Sequence, residues 1–107
     1  MQRVTLVRYT AKPGRAAENE TLSRAVFREL QAAQPPHVAY ALFRDGDDFL
    51  HVFLNLAEDD SAAVTERPTF KAFSQDMADR TVAAPEVTRL AMALVDAYGF
   101  AQARTPA

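Results

Sequence analysis

The sequence predicts an α+β domain of the ferredoxin-like type, in which four antiparallel strands and two helices follow the order β-α-β-β-α-β. Three observations predict it: two stretches with helical apolar spacing, four stretches rich in β-branched and aromatic residues, and an Asp-Gly turn between two of these. A chain of 107 residues can bury one sizeable core but not two, so we expect a single domain over residues 1–107.

The first strand and first helix are predicted from the N-terminal third. The stretch from Arg3 to Thr10 (RVTLVRYT) has strand composition and ends at the turn-forming Lys12-Pro13-Gly14. From Arg15 to Gln34 the apolar residues recur at helical spacing, namely Leu22, Val26, Leu30 and Ala33. Pro35-Pro36 should end this helix, because proline cannot donate a backbone hydrogen bond and disfavours helical geometry in the residue before it.

Strands two and three are predicted in the stretch HVAYALFRDGDDFLHVFLNL, from His37 to Leu56. Asp45-Gly46 indicates a tight hairpin of type I′, the turn in which both central residues take positive φ. A two-residue loop there and a four-residue loop from Asp45 to Asp48 distribute the side chains between the two faces in the same way, whereas a three-residue loop with a bulge would change that distribution.

The second half should supply one main helix and the last strand. Glu58 to Ser61 offers acidic residues and N-caps for a short helical piece. Pro68 is well placed to begin the second helix, with an inner stripe of Phe70, Phe73 and Met77. Ala83-Ala84-Pro85 should break that helix. A long fourth strand is then predicted from Val87 to Tyr98, followed by a loose tail from Gln102 to Ala107.

The hairpin carries large apolar side chains on both faces. One face would hold Val38, Tyr40, Leu42, Arg44, Phe49, His51, Phe53 and Asn55. The other would hold His37, Ala39, Ala41, Phe43, Leu50, Val52, Leu54 and Leu56. We assign the second face to the helices. Two helices cover only one side of a sheet, so we expect the first face to pack on the same face of a second copy, giving a homodimer.

At this point the chain resembles the dimeric α/β-barrel superfamily, specifically the antibiotic-biosynthesis-monooxygenase-like proteins. The resemblance runs nearly end to end and rests on Lys12-Pro13-Gly14, Pro35-Pro36, the acidic hairpin, the ERPTFKAF stretch from Glu66 to Phe73, and the closing AYGF. It implies two sheets forming a dimeric barrel. It also implies an oxidoreductase, a cofactor-independent monooxygenase acting on a small hydrophobic aromatic or enolisable molecule. The alternative is a non-catalytic barrel, of unknown function, that binds small molecules or is associated with stress.

Two departures from the superfamily's patterns bear on haem and on catalysis. The haem-degrading branch carries a histidine four residues after the phenylalanine of its second helix, and from Phe70 that position is Ser74. The chain also has no tryptophan, which several catalytic members place in their pocket. The first departure argues against haem, and the second leaves the monooxygenase activity open. Because the resemblance implies a cofactor-independent enzyme, we expect no other cofactor.

The candidate site residues share one face of the hairpin. A few polar groups in an otherwise apolar environment are typical of a small-molecule pocket. His51 would be the catalytic base, with activity rising through the ordinary histidine range, and Arg44 would stabilise the developing anion. Tyr40 and Asn55 would orient a substrate oxygen. The alternative is that these four side chains only satisfy one another and the backbone across the dimer interface.

Three further residues are candidates for substrate binding. Arg8 and Tyr9 end the first strand near the loop into the helix, so either could reach the mouth of a cavity. His37 stands where the second strand begins, after two prolines. Sheet packing for Tyr9 and an edge hydrogen bond for His37 are the alternatives. With two histidines and no carboxylate at ligand spacing beside them, we expect no metal site.

Composition excludes several other classes. The net charge is −2 and no basic block could follow a phosphate backbone, so we expect no nucleic-acid partner. The RNA-recognition motif shares the strand order, yet Asp45, Asp47 and Asp48 lead into Phe49 and would repel phosphate. There is no cysteine, no membrane span and no signal-like N-terminus, which favours a cytoplasmic protein. The excess of arginine over lysine is typical of a GC-rich bacterial genome.

Overall fold

A computed structural model describes residues 2–56 and 64–99, which form one antiparallel sheet with helices packed on one of its faces. The elements are β1 (Arg3–Thr10), α1 (Ala16–Ala33), β2 (Val38–Asp45), β3 (Asp48–Asn55), α2 (Pro68–Gln75), α3 (Met77–Arg80) and β4 (Glu86–Leu90). The strand order across the sheet is β2-β3-β1-β4. The predicted ferredoxin-like α+β fold is confirmed.

Local signals set most of the boundaries. β1 has the predicted bounds, and α1 lies one residue inside the predicted range at each end. Gln34, with φ 48°, closes α1 immediately before the two prolines, and Pro68 begins α2 as predicted. The second helix is not continuous, because Asp76, at φ −111° and ψ 26°, separates α2 from α3. The predicted acidic helix start at residues 58–61 and the predicted tail at 102–107 lie outside the described residues.

The hairpin turn differs in type from the prediction. Asp45 pairs with Asp48, so the two-residue loop is Gly46–Asp47. Within it only Gly46 takes a positive φ, of 62°, so the type I′ prediction is wrong. The Asp47 carbonyl accepts a hydrogen bond from the Ala11 N–H (2.8 Å), which attaches the turn to the end of β1. The division of side chains between the two faces is unaffected.

The fourth strand is shorter than predicted. β4 covers Glu86–Leu90, and residues 91–98 are in no strand. Leu90 pairs with Val4, and β1 itself begins at Arg3, so the sheet provides almost no partner for residue 91 and beyond. The predicted strand to Tyr98 is therefore wrong beyond Leu90. Strand composition continues there, but a strand needs a neighbour to supply its hydrogen bonds.

The helices cover the face of the hairpin that was predicted to meet a second copy. Phe27 of α1 stacks on Tyr40, and α2 places Phe73 against His51. We call this side the helix face and the opposite side the open face. The assignment of faces was wrong because alternation shows which side chains lie together, but not which group the helices choose when both groups are apolar.

The open face has an apolar surface of its own. It is formed by Val4, Leu6, Ala39, Ala41, Phe43, Leu50, Val52 and Leu54. None of these side chains belongs to the core cluster of the described residues, and Phe43 is 58% exposed. The core lies instead on the helix face, around Val26, Phe49 and Phe73. Within the described ranges no helix is both long and apolar enough to cross a membrane.

Candidate site around His51

His51 lies on β3 at the centre of the helix face and is 1% exposed. Both ring nitrogens are hydrogen-bonded to tyrosines: Nε2 lies 2.7 Å from the Tyr9 hydroxyl and Nδ1 lies 2.5 Å from the Tyr40 hydroxyl. A neutral imidazole has one N–H donor and one acceptor nitrogen, so one tyrosine donates to His51 and the other accepts from it.

The sheet register accounts for this arrangement. His51 is paired with Val7 on β1 and Leu42 on β2. Tyr9 and Tyr40 lie two residues from those partners, in opposite directions, and so become the diagonal neighbours of His51 on the same face. Long aromatic side chains span that diagonal. Three residues on three adjacent strands thus form a single hydrogen-bonded unit.

A second layer of polar side chains supports Tyr9. The Asn19 Nδ2 amide of α1 donates to the Tyr9 hydroxyl (2.8 Å), and the Arg80 Nε donates to the Asn19 Oδ1 (3.2 Å). The Arg80 Nη2 donates to the Phe73 carbonyl, and the Ser23 hydroxyl donates to the Asn19 carbonyl (2.8 Å). Arg80, Asn19 and Ser23 are all fully buried. Every polar atom of this layer that is buried therefore has a protein partner within the described residues.

Arg80 is a buried cation whose charge is stabilised by neutral groups. Among residues 2–56 and 64–99, no carboxylate forms an ion pair with it. Its charge is instead offset by two oxygens, of Asn19 and Phe73, and by the Phe73 ring, whose centroid lies 5.3 Å from the guanidinium carbon. The resulting positive potential lies on the Asn19 side of Tyr9.

Sequence reasoning missed Asn19, Ser23 and Arg80. A signal for two of them was present, because Asn19 and Ser23 fall at helical spacing with Val26 and Leu30 and so occupy the inner stripe of α1. Polar residues on a buried stripe need partners and are candidates for a site. Nothing local marks Arg80 as buried, since it becomes so only when α3 closes over the sheet.

Burial keeps the whole unit neutral at physiological pH. Burial lowers the pKa of His51 to about 4. Burial also raises the pKa of Tyr40 well above its usual range, with a smaller effect from Tyr9. The pKa of Tyr9 is raised by burial and partly brought back by the Asn19 hydrogen bond and the Arg80 charge. His51 is therefore an unprotonated imidazole between two phenols.

Aromatic rings surround the unit. Tyr40 is stacked between Phe27 (centroids 4.3 Å apart) and Phe53 (4.1 Å). On the other side Tyr9 stacks on Phe49 at 5.5 Å, and the Phe73 ring lies 5.4 Å from the imidazole. The arrangement combines one base, two hydroxyl groups and several flat apolar surfaces, which suits a planar hydrophobic molecule.

The remaining predicted site residues lie apart from His51. Arg44 is on the same face but at its rim, where it donates to the Gly46 carbonyl (2.7 Å) and to Glu20 (2.9 Å). These bonds from Arg44, followed by those from Arg24, hold the pKa of Glu20 below its usual range. Asn55 lies at the opposite end of the face, in register with Val38.

Arg8 and His37 are not part of the unit. Arg8 is exposed on the open face, in register with Leu50 and Glu86. His37 is exposed at a positive φ of 64°, and its carbonyl accepts from the Leu56 N–H (2.8 Å). Of the seven predicted residues, the structure brings together Tyr9, Tyr40 and His51.

Two of the surface grooves formed by the described residues border α2, and His51 lines neither of these two. The larger, of about 710 Å³, runs along the outer side of α2 past Phe70 and Lys71. The smaller, of about 470 Å³, lies between Met77 and Pro85. In the part of the chain that the structure describes, no three histidine, aspartate or glutamate side chains converge as metal ligands.

The depressed pKa of His51 should make the fold acid-sensitive. Its unfolded-state pKa is near 6.5 and its folded-state value is about 4, so the unfolded chain binds the proton first as pH falls. The stabilisation is complete above pH 6.5 and is lost towards pH 4. It totals on the order of 3 kcal/mol, of which roughly 2 kcal/mol should disappear between pH 7 and pH 5.

Urea unfolding of the wild type and of His51→Gln at both pH values measures this loss. Glutamine cannot titrate, so the variant should lose less stability over the same interval, and carboxylates contribute equally to both proteins. Equal pH dependence of stability in the two proteins would contradict the lowered pKa of folded His51.

No known protein-family model matches the chain, and no curated protein sequence matches it. Solved structures do match. A protein of Caulobacter crescentus, provisionally named an antibiotic biosynthesis monooxygenase, superposes with a TM-score of 0.72 at 20% identity, over 87% of this chain and 91% of that one. A similarly named protein of Bacteroides thetaiotaomicron gives a TM-score of 0.71 at 14% identity, over 87% and 90%. Rv0793 of Mycobacterium tuberculosis gives 0.69 at 14%, over 92% and 99%.

The chain has the fold of the antibiotic biosynthesis monooxygenase-like proteins. The resemblance found in the sequence is thereby confirmed for the monooxygenase-like fold. A fold can host unrelated chemistries, so the activity depends on the residues around His51 and not on the fold alone.

Proposed function

We propose that the protein is a cofactor-independent monooxygenase-like enzyme that acts on a small hydrophobic aromatic or enolisable molecule. The observation that carries this proposal is the neutral His51 imidazole, held by two tyrosine hydroxyls inside a shell of aromatic rings. A base at a buried position can ionise a weakly acidic substrate where water would not re-protonate the product at once.

In this proposal the tyrosine that donates to His51 turns its hydroxyl away, the freed nitrogen accepts a proton from an activated C–H group, and the carbanion transfers its electrons to dioxygen. For a ring methylene, one oxygen atom becomes the new carbonyl and the other leaves as water with the two hydrogens of the carbon. The methylene carbon loses four electrons and dioxygen gains four. The tyrosine that accepts from His51 stabilises the imidazolium while it exists.

Arg44 has a more distant role in this scheme than His51. Its guanidinium is bonded to Glu20 and Gly46 at the rim of the helix face. We propose that it attracts or orients an anionic group of the substrate there. Asn55, at the other end of the face, remains a proposed substrate contact.

We further propose a homodimer in which the open face of one copy packs on that of another. Leu6, Leu50, Val52 and Leu54 are there, and fully burying each contributes roughly 1.5–3 kcal/mol. Large exposed apolar patches on soluble proteins commonly mark interfaces. Two such sheets packed face to face would form the barrel that the resemblance implies.

Oxygen uptake by the purified protein is the test of the proposed reaction. With an anthrone- or quinol-like substrate, and no added metal, flavin or haem, we expect consumption of one dioxygen per product. An oxygen electrode and metal analysis of the same sample measure this. Uptake that depends on added cofactor, or no uptake with any enolisable aromatic, would contradict the proposal.

A non-catalytic ligand-binding barrel is the second candidate. It is favoured by the burial of His51, which is 1% exposed and borders neither groove. In that case aromatic ligands should bind stoichiometrically without any oxygen uptake.

A further inference from the structure

Tyr40 is held by the protein in the way that a phenolic ligand would be held. Its ring lies between two nearly parallel rings, at 17° to Phe27 and 13° to Phe53. Its hydroxyl reaches the Nδ1 of His51 at 2.5 Å. Flat stacking on both faces and one hydrogen bond to an imidazole are the contacts that a planar phenol or enol requires.

The position of Tyr40 at the edge of the sheet allows its side chain to move out of the space between Phe27 and Phe53. β2 is an edge strand of the sheet, so within residues 2–56 and 64–99 no strand lies beyond Tyr40, and rotation about its side-chain bonds can carry the ring outward without breaking the sheet. Tyr40 keeps some exposed surface although its hydroxyl is buried, whereas Tyr9 is 5% exposed on the interior strand β1 and is also bound by Asn19. Each tyrosine hydroxyl forms one hydrogen bond with His51, but only the Tyr9 hydroxyl is also held by Asn19 among the described residues.

We propose that Tyr40 occupies the binding site of a planar phenol or enol, and that such a ligand binds by displacing the Tyr40 side chain. The ligand then stacks between Phe27 and Phe53 and takes over the hydrogen bond to His51. The inference rests on the proposed function only in placing a ligand beside His51.

Displacement has a measurable consequence for affinity. A site that is open for only a fraction of the time binds its ligand more weakly by that fraction. Removing the Tyr40 hydroxyl takes away a bond that keeps the site closed and leaves the ring in place. A net hydrogen bond contributes about 0.5–1.5 kcal/mol, so Tyr40→Phe should bind roughly two- to tenfold more tightly than the wild type.

The probe is 2-naphthol, a planar phenol whose binding can be followed by its fluorescence, with naphthalene as the analogue that lacks the hydroxyl. Tyr40→Phe should bind 2-naphthol more tightly than the wild type, and Tyr40→Ala more tightly still. The matched control is Tyr9→Phe, which removes the hydroxyl from the other nitrogen of the same imidazole and should give no gain. The preference for 2-naphthol over naphthalene should be reduced in His51→Leu, whose side chain cannot form the hydrogen bond.

The outcomes separate this inference from the proposed reaction. Equal or weaker binding of 2-naphthol by folded Tyr40→Phe would overturn the inference. Equal binding would mean that the Tyr40 hydroxyl does not keep the site closed, and weaker binding would mean that it contacts the ligand. This result does not depend on whether Tyr40→Ala folds. Tighter binding by Tyr40→Phe supports the inference even if no oxygen is consumed. The absence of oxygen uptake would reject only the proposed monooxygenase activity. Oxygen uptake with weaker binding by Tyr40→Phe would retain the enzyme and reject displacement.

Discussion

His51→Gln is expected to lower kcat/KM for an enolisable aromatic substrate by about a hundredfold or more, the usual effect of losing a general base. Glutamine can still donate to one tyrosine and accept from the other, so the variant keeps the hydrogen-bonded unit while removing the basic nitrogen. Oxygen uptake at saturating and limiting substrate measures kcat and kcat/KM separately. The loss should appear in kcat, because proton removal belongs to the transition state.

The wild-type pH profile should report the buried base. Since burial lowers the pKa of His51 to about 4, the imidazole is already neutral at pH 6, and activity should be flat from there to pH 8 and fall only below about pH 5. This revises the expectation from sequence, which placed the rise in the ordinary histidine range. The sequence could not anticipate the shift because it arises from burial.

A matched histidine and the rim arginine provide the controls. His37→Gln, at an exposed position outside the unit, should leave kcat/KM within about twofold of the wild type. Arg44→Ala should cost less than His51→Gln, since Arg44 is bonded to Glu20 and Gly46 and not to His51. If His51→Gln retains full turnover, the base lies elsewhere and the proposed mechanism is wrong.

Val52→Asp is expected to convert a homodimer into a folded monomer. Val52 lies on the interior strand β3 at the middle of the open face, in register with Leu6 and Ala41. A carboxylate there would have no partner in a dry interface, which costs several kcal/mol, whereas in a monomer it would face water. Light scattering after gel filtration should give twice the 11.8 kDa chain mass for the wild type and the single mass for the variant.

Two further substitutions test the assignment of faces. Thr21→Asp changes an exposed residue of α1 that is similar in size to valine, and the protein should remain dimeric. Phe53→Asp places the same charge beneath the helices, against Tyr40 and Phe70, and should unfold the chain rather than only separate two copies. A wild type that is a stable monomer, or a Val52→Asp variant that stays dimeric, would reject the open face as the interface.

The sequence by itself determined the local elements and the grouping of side chains. The bounds of β1, the end of α1 before two prolines and the start of α2 at Pro68 follow from backbone preferences that act within a few residues. Alternation along the hairpin correctly put Tyr40, His51 and Phe53 on one face. The resemblance to a known family then predicted the whole fold. The motifs that carry the resemblance are short turns and strand ends, which can be recognised in the sequence alone.

Only the tertiary structure decided which face the helices cover, where β4 ends and which polar groups meet. Alternation is symmetric between two apolar faces, and a strand ends where its partner ends, so neither result is encoded locally. Tyr9 and His51 are 42 residues apart in the chain, and Asn19 and Arg80 are 61 apart. Burial then sets the protonation state of His51, because the pKa of an imidazole depends on the surroundings that the folded chain builds around it.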